Sequence, residues 1–396
     1  MHAIYWSICC SSSNFASVFL LSKNFSNRQI GFILASANIL AAFLQPAIAD
    51  IADKNRTVTL KDLTVLLTGA ASLFAAARFF TFGCSVVIAV LLILELTLLL
   101  VLQPLVTSLG MQRINSGITV NFSLARGIGS MTFAFFSVIL GYLIGCFGTG
   151  LLPALSAVLY VLQIIAINAF AGKQALTKSN PPETNRCTAK ASSAGASTDN
   201  LIVFMAQNKR FVALVAAVIF TFCSHSMINN YFIQITENVG GKTKEMGIAI
   251  GLAAAIELPA MVLFNGFTKH IPCSTILKFS LFFFLVKAVV TLYASNIWLL
   301  YAAQLLEFFS YALFVPASIY YVNRIIREED RTKGQAFITS AITIGSVVAS
   351  FLGGWLLDCR SVKIMLLVGT FFAALGFLIG LGAVEKRKKH DFSATS

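Results

Sequence analysis

The chain has 396 residues, of which 57% are hydrophobic and only 11% charged, with a mean hydropathy of +0.82. A soluble domain carries about 25% charged residues, so a soluble enzyme, a secreted scaffold and a disordered chain are all excluded. The net charge of +13 does not mark a nucleic-acid surface, because the Lys and Arg residues stand between apolar runs and not on one face interleaved with aromatics.

At about 20 apolar residues per crossing, the length allows about a dozen membrane spans. Twelve apolar runs follow in chain order, near residues 3–22, 28–48, 62–82, 84–109, 120–147, 149–171, 210–234, 245–267, 275–294, 297–322, 334–357 and 361–383. Each must be helical, because backbone groups in hydrocarbon need partners within their own segment. The first run lacks a basic flank and is interrupted by Ser11-Ser12-Ser13-Asn14, so no cleavable leader is expected. A polar stretch with Ser179-Asn180-Pro181-Pro182 and Ala191-Ser192-Ser193-Ala194-Gly195 has linker composition. The expected organisation is a six-helix bundle over 1–171, a linker over 172–209, a second bundle over 210–383 and a basic tail over 384–396. The tail's Glu385-Lys386-Arg387-Lys388-Lys389 reads as a stop-transfer and headgroup anchor.

Roughly three in four loop Lys and Arg residues fall on the side of the two chain ends and the linker, which predicts cytoplasmic termini. The eight Cys are scattered, mostly inside apolar runs, and read as small core hydrophobes. No His/Cys/acid spacing points to a metal, no P-loop to ATP, and no cofactor is expected.

Six charged residues, Arg78, Glu95, Arg126, Glu257, Lys287 and Glu307, lie within apolar runs. Each costs roughly 2.5–3.5 kcal/mol at a helix centre if it stands alone. Three acids and three bases can cancel one another, either as structural ion pairs or around a watery cavity. Arg78, near a run's end, reads as structural or snorkelling, and Glu95 as either. Polar residues that can line a cavity are Asn14, Asn38, Gln45, Gln103, His225, Asn229, Asn230, Gln304 and Tyr311; they can equally hold helices together.

The halves resemble each other. Leu94-Glu95 is followed by Pro104 in the fourth run, and Leu306-Glu307 by Pro316 in the tenth. Ile128-Gly129-Ser130 matches Ile344-Gly345-Ser346, and Gly31 matches Gly247, all at offsets of 212 to 216 residues. Near-constant offsets argue for two six-helix repeats.

This all-α pattern, two six-helix pseudo-symmetric bundles about a linker, resembles the major facilitator superfamily along the whole chain. Within it the sequence resembles the branch of lactose permease, related oligosaccharide–proton symporters and phenylpropionate permeases. Three patterns carry this: Ile30-Gly31-Phe32-Ile33 through Phe43-Leu44-Gln45-Pro46 to Ala52-Asp53-Lys54; Ala125-Arg126 with Gly127 and Gly129; and Ile256-Glu257-Leu258, then Lys287, then Leu306-Glu307-Phe308-Phe309.

The resemblance implies alternating-access transport of a small polar organic solute (a sugar, oligosaccharide or organic acid) by proton symport, with an uncoupled facilitator or proton-driven exporter as the alternative. A membrane sensor or assembly partner is a more distant reading. The implied partners are solute, protons and the bilayer of a cell membrane, for a monomer. Arg126 takes the place of the family's solute-binding Arg, Glu257 that of the acid linking solute to proton, and Lys287 that of the cation assisting deprotonation. At the family's proton site the residues are Glu307 and, one turn on, Ser310, which cannot titrate. Glu307 is therefore the expected carrier, with Glu257, Glu95 and His225 behind it. The family's helix 4 acid is Thr107 here, its stacking aromatic is Phe133, and an acid–Lys pair is replaced by Asn229 and Gln304. These changes fit a galactoside less well and an anionic solute at least as well. Asp53-Lys54 matches the superfamily's turn that helps hold the cytoplasmic gate shut, though the motif's opening Gly is Ala49.

Overall fold

The computed structural model describes residues 1–54, 59–81, 85–115, 122–172, 208–327 and 330–384, and every regular element among them is helical. In the first half, α1 comprises His2–Ile8, a π-helical turn Cys9–Asn14, and Ala16–Ser22. There follow α2 (Asn27–Lys54), α3 (Leu60–Phe80), α4 (Ser85–Asn115), α5 (Phe122–Phe147) and α6 (Leu151–Gly172). In the second half, α7 comprises Lys209–Asn230 and Phe232–Asn238. Then come α8 (Thr243–His270), α9 (Cys273–Leu292), α10, α11 (Arg331–Cys359) and α12 (Val362–Ala383). The tenth helix, α10, is broken into Ile297–Leu305, a 3-10 turn Leu306–Phe308, and Tyr311–Ile325. Among the described residues eleven helices are long and apolar enough to cross a bilayer, and α1, bent by 40° at its break, is a twelfth when its two parts are taken as one span. The molecule is an all-α membrane protein of two six-helix bundles. Residues 173–207 and 385–396, the expected linker and tail, lie outside the described residues.

The helices outrun the apolar runs that predicted them: α2 continues to Lys54 and α4 to Asn115. An apolar run measures the hydrocarbon, whereas the helix persists into the polar interface until its hydrogen-bond ladder ends. Pro46 and Pro104 lie inside these helices. Each proline removes one ladder bond and bends the helix without ending it. The outside of the bundle is apolar, as a hydrocarbon solvent demands, with Phe43 76% and Phe147 74% exposed.

The two halves meet along two seams, α2 against α11 and α5 against α8. Both depend on missing side chains. Gly31 of α2 lies so close to the Ser350 carbonyl of α11 that a Cβ would clash with it. Gly247 of α8 lies the same way on Ser137 of α5, where a Cβ would come within 2.6 Å of the carbonyl oxygen. The Ser137 hydroxyl donates to the Gly247 carbonyl at 2.8 Å. Gly31 and Gly247 are 216 residues apart, Ser137 and Ser350 213, so the seams are images of each other. Close approach through small residues is how helices gain packing where no hydrophobic force joins them.

The α2–α11 seam ends in a latch on the side away from the linker. Asp358, one residue from the end of α11, accepts from the backbone N–H of Asn27 at 3.0 Å and of Arg28 at 2.8 Å. The Asn27 amide donates to the same carboxylate at 2.9 Å. A carboxylate is unfavourable at its own helix's C-terminus but favourable at another helix's N-terminus. Asp358 thus caps α2 across the boundary between halves.

The seam generates a prediction. Gly31→Val cannot close against Ser350, so the side away from the linker should open. A single reactive cysteine at Ser13, on the cavity described below, should label at least about tenfold faster from that side, equal to ~1.4 kcal/mol of population shift. Unchanged labelling would mean that the seam does not gate the cavity.

Candidate functional site

A cavity of about 370 Å³ lies between the halves. The first half contributes Trp6, Ser13 and Asn14 from α1, Asn38 from α2, Gln103 from α4 and Phe133 from α5. The second contributes His225, Asn229 and Asn230 from α7, Glu257 from α8, and Glu307 and Tyr311 from α10. Five amides, four aromatic rings, two carboxylates and one imidazole thus share the wall with aliphatic side chains such as Leu34, Leu96, Leu99 and Leu100. A site at the repeat interface, near the bilayer midplane, is where alternating access requires it.

Local backbone breaks set the side chains. The π-turn of α1 spans Ser12, Ser13 and Asn14, and the 3-10 turn of α10 carries Glu307. Each break turns side chains out of the regular helical stripe, as such interruptions do at functional sites. Trp6 stands over Gly129 of α5, where a Cβ would strike its indole, and meets Phe133 edge to face at 6.2 Å.

Behind the wall are two buried charge clusters. In the second half, Lys287 of α9 pairs with Glu307 Oε2. The other carboxylate oxygen lies 3.8 Å from His225 Nε2. In the first half, the Arg78 guanidinium of α3 lies 2.9 Å from Glu95 of α4. Ser12 donates to that carboxylate at 2.6 Å. Glu95 is fully buried and off the cavity wall, whereas Glu307 reaches it. The three pairs of counterparts, Ser12 and His225, Glu95 and Glu307, Arg78 and Lys287, are 213, 212 and 209 residues apart. One repeat's charge cluster is thus an image of the other's.

Of the residues singled out by sequence, Glu307, Glu257, Phe133 and Asn229 line the cavity. Lys287, 1% exposed, does not; it stands behind Glu307 as counter-ion. Thr107 and Gln304 also lie off the wall. Thr107 faces its own helix, its hydroxyl donating to the Gln103 carbonyl at 3.0 Å. Gln304 is buried in α10, its Nε2 without a hydrogen bond. Gln45 is off the wall too, donating to the Leu100 carbonyl at 3.0 Å. Arg126 is on α5, but its side chain, with those of Asp53 and Lys54, lies outside the described residues. Sequence reasoning missed Trp6 and the pairing of Ser12 with His225. The signal for the pairing was present, since 213 residues falls within the repeat offsets of 212 to 216 already visible in the sequence.

Two helical bundles enclosing a cavity at their interface define a multi-pass membrane protein with the architecture of a transporter. Residues 2–385 match the model of the MFS_1 like family, and the chain belongs to that family of major facilitator proteins. It is 25% identical over 184 residues to the uncharacterized transporter YwbF of Bacillus subtilis (strain 168), a stretch that spans 46% of each protein. The fold is similar to that of a single-residue variant of the nucleoside transporter NupG, with a TM-score of 0.79, 12% identity and 96% of both chains covered. It is also similar to a bacterial homologue of the human lysosomal transporter Spinster in an inward-facing, unoccupied conformation, with a TM-score of 0.64, 12% identity, and 98% and 97% of the two chains covered.

The sealed cluster generates a stability prediction. Glu95→Gln leaves the Arg78 charge buried and uncompensated, and breaking such a pair costs about 3–5 kcal/mol. The double replacement Arg78→Met with Glu95→Leu removes both charges and should recover most of that loss. Thermal melts in detergent, followed by size-exclusion chromatography, check both. Equal melting of the single variant and the wild type would show that the pair carries no stability.

Proposed function

We propose that the protein is a proton-coupled secondary transporter of a small polar organic solute, a sugar, oligosaccharide or organic acid, working by alternating access. The observation that carries this reading is Glu307. It faces the solute cavity on one side and a buried lysine on the other. A carboxylate so placed has two states: charged and paired with Lys287, or protonated and released from it. Switching between them changes the net charge of the site as it crosses the membrane, the requirement for coupling. Glu257, on the cavity wall from α8, is the residue proposed to link solute to proton, and Arg126, Phe133 and Asn229 to hold the solute. Aromatic faces and amide edges also favour a ring-bearing solute, and the fold's similarity to a nucleoside transporter adds nucleosides to the panel to be tried. The excess of Lys and Arg on the linker side supports cytoplasmic termini, and Asp53-Lys54 is proposed to serve the cytoplasmic gate.

The test compares two modes in proteoliposomes with radiolabelled lactose, uridine and phenylpropionate. Glu307→Gln mimics the permanently protonated acid at almost unchanged volume. It should retain counterflow, because it is held in the proton-loaded state in which loaded carrier reorients, and lose accumulation under an imposed pH gradient by at least about tenfold, ~1.4 kcal/mol. Normal accumulation by this variant would remove Glu307 as carrier. Arg126→Lys keeps the charge but loses the bidentate fork. Uptake should fall at least about tenfold, again ~1.4 kcal/mol, and near-normal uptake would exclude Arg126 from the solute site.

A further inference from the structure

The two charge clusters differ at one place, and the difference is chemical. In the first half the third member is Ser12. Its hydroxyl lies 2.6 Å from Glu95 and 3.0 Å from Ser156. It is a neutral, fixed donor in a cluster that does not reach the cavity. In the second half the same place holds His225. Its Nε2 stands 3.8 Å from Glu307 Oε1 and 2.9 Å from the Asn229 side-chain nitrogen. One ring nitrogen is therefore addressed by two partners, and it cannot serve both at once. The ring lies flat on Tyr311, with centroids 5.5 Å apart and an interplanar angle of 7°. His225, Asn229, Tyr311 and Glu307 all line the cavity.

Resting on the reading of Glu307 as proton carrier, we infer that His225 is the proton relay of the coupling site, through which the contents of the cavity govern the Glu307–Lys287 pair. A solute that engages the Asn229 amide or leans on Tyr311 alters what Nε2 faces. With Asn229 as partner, Nε2 accepts and Glu307 stays paired with Lys287. Freed from Asn229, Nε2 accepts the transported proton from hydronium in the cavity, leaving neutral water, and turns it toward Oε1. The N–H bond then breaks as an O–H bond forms, leaving a neutral carboxyl, a neutral imidazole and a Lys287 ammonium without its anion. The reverse sequence returns the proton to water. The groups facing the imidazole are Glu307 and Tyr311 from α10 and Lys287 from α9, which also sets Phe284 against the ring. Glu257 from α8 shares the cavity.

The molecule contains its own control. His225→Ser copies the arrangement that Ser12 already makes in the first half, with a hydroxyl facing the carboxylate. The full chain is reconstituted in proteoliposomes. The probe is whichever of lactose, uridine or phenylpropionate the wild type accumulates most. Counterflow and accumulation are followed from pH ~5.5 to ~8, the range over which an imidazole ordinarily titrates. Glu307→Gln is measured alongside. The expected result is that accumulation falls at least about tenfold further than counterflow does, ~1.4 kcal/mol, and no longer depends on pH. A merely structural role would depress both modes together and leave the shape of the pH profile unchanged. His225→Gln, nearer in volume, should behave like His225→Ser and guards against a packing defect. Accumulation with the wild-type pH profile in both His225 variants, while Glu307→Gln fails to accumulate, overturns this inference and leaves the carrier reading standing. Normal accumulation by Glu307→Gln overturns the carrier reading itself, and this inference with it.

Discussion

A charge in hydrocarbon has to be cancelled by another charge, and the interior of this protein is organised around that requirement. Arg78 with Glu95, and Lys287 with Glu307, are nearly sealed pairs whose members come from adjacent helices of one half. Either partner alone would be a large penalty; together they tie α3 to α4 and α9 to α10 at mid-depth. The helices could not be shifted along one another by a turn without separating the charges. The pairs therefore set the depth at which the breaks in α1 and α10 fall, and with them the cavity wall.

Repetition turns this structural device into one that can be used. The first half keeps its carboxylate off the cavity wall and held by a serine, while the second exposes the equivalent carboxylate to the cavity and sets a histidine beside it. The difference follows from a few side chains on a common scaffold. One cluster holds its half together, and its image has room to change state. The seams obey the same logic. Gly31 on Ser350 and Gly247 on Ser137 give each half an equivalent close approach to the other. Asp358 then adds a latch, on the α2–α11 seam, that turns a helix N-terminus into its partner.

The sequence displayed its repeats through residues that packing constrains most. Glycine and proline recur because only they allow close approach or a bend at fixed points. The Leu-Glu pairs recur because a buried acid must meet a base at fixed depth. Much of the polar part of the cavity wall was legible for a related reason: polar residues within an apolar run have few places to go, and Asn14, Asn38, Gln103, His225, Asn229, Asn230 and Tyr311 all reach the wall. Gln45, Thr107 and Gln304 satisfy the same rule yet lie off it. Gln45 and Thr107 spend their polar groups on backbone carbonyls, and Gln304 is turned into the bundle. A helix has several faces, and the run of letters does not say which one is wet.

Hydropathy by itself determined the class and the run of spans, because the bilayer acts on each segment independently and needs about 20 apolar residues every time. The pairing of charges could be anticipated from the cost of leaving them single. Only the tertiary structure decided which acid meets which base, that Lys287 lies behind the cavity and not in it, and that Ser12 and His225 occupy equivalent places. Those outcomes depend on rotation about helix axes and on local breaks at Cys9–Asn14 and Leu306–Phe308. Both are fixed by packing between segments far apart in the chain, where the local sequence is indifferent.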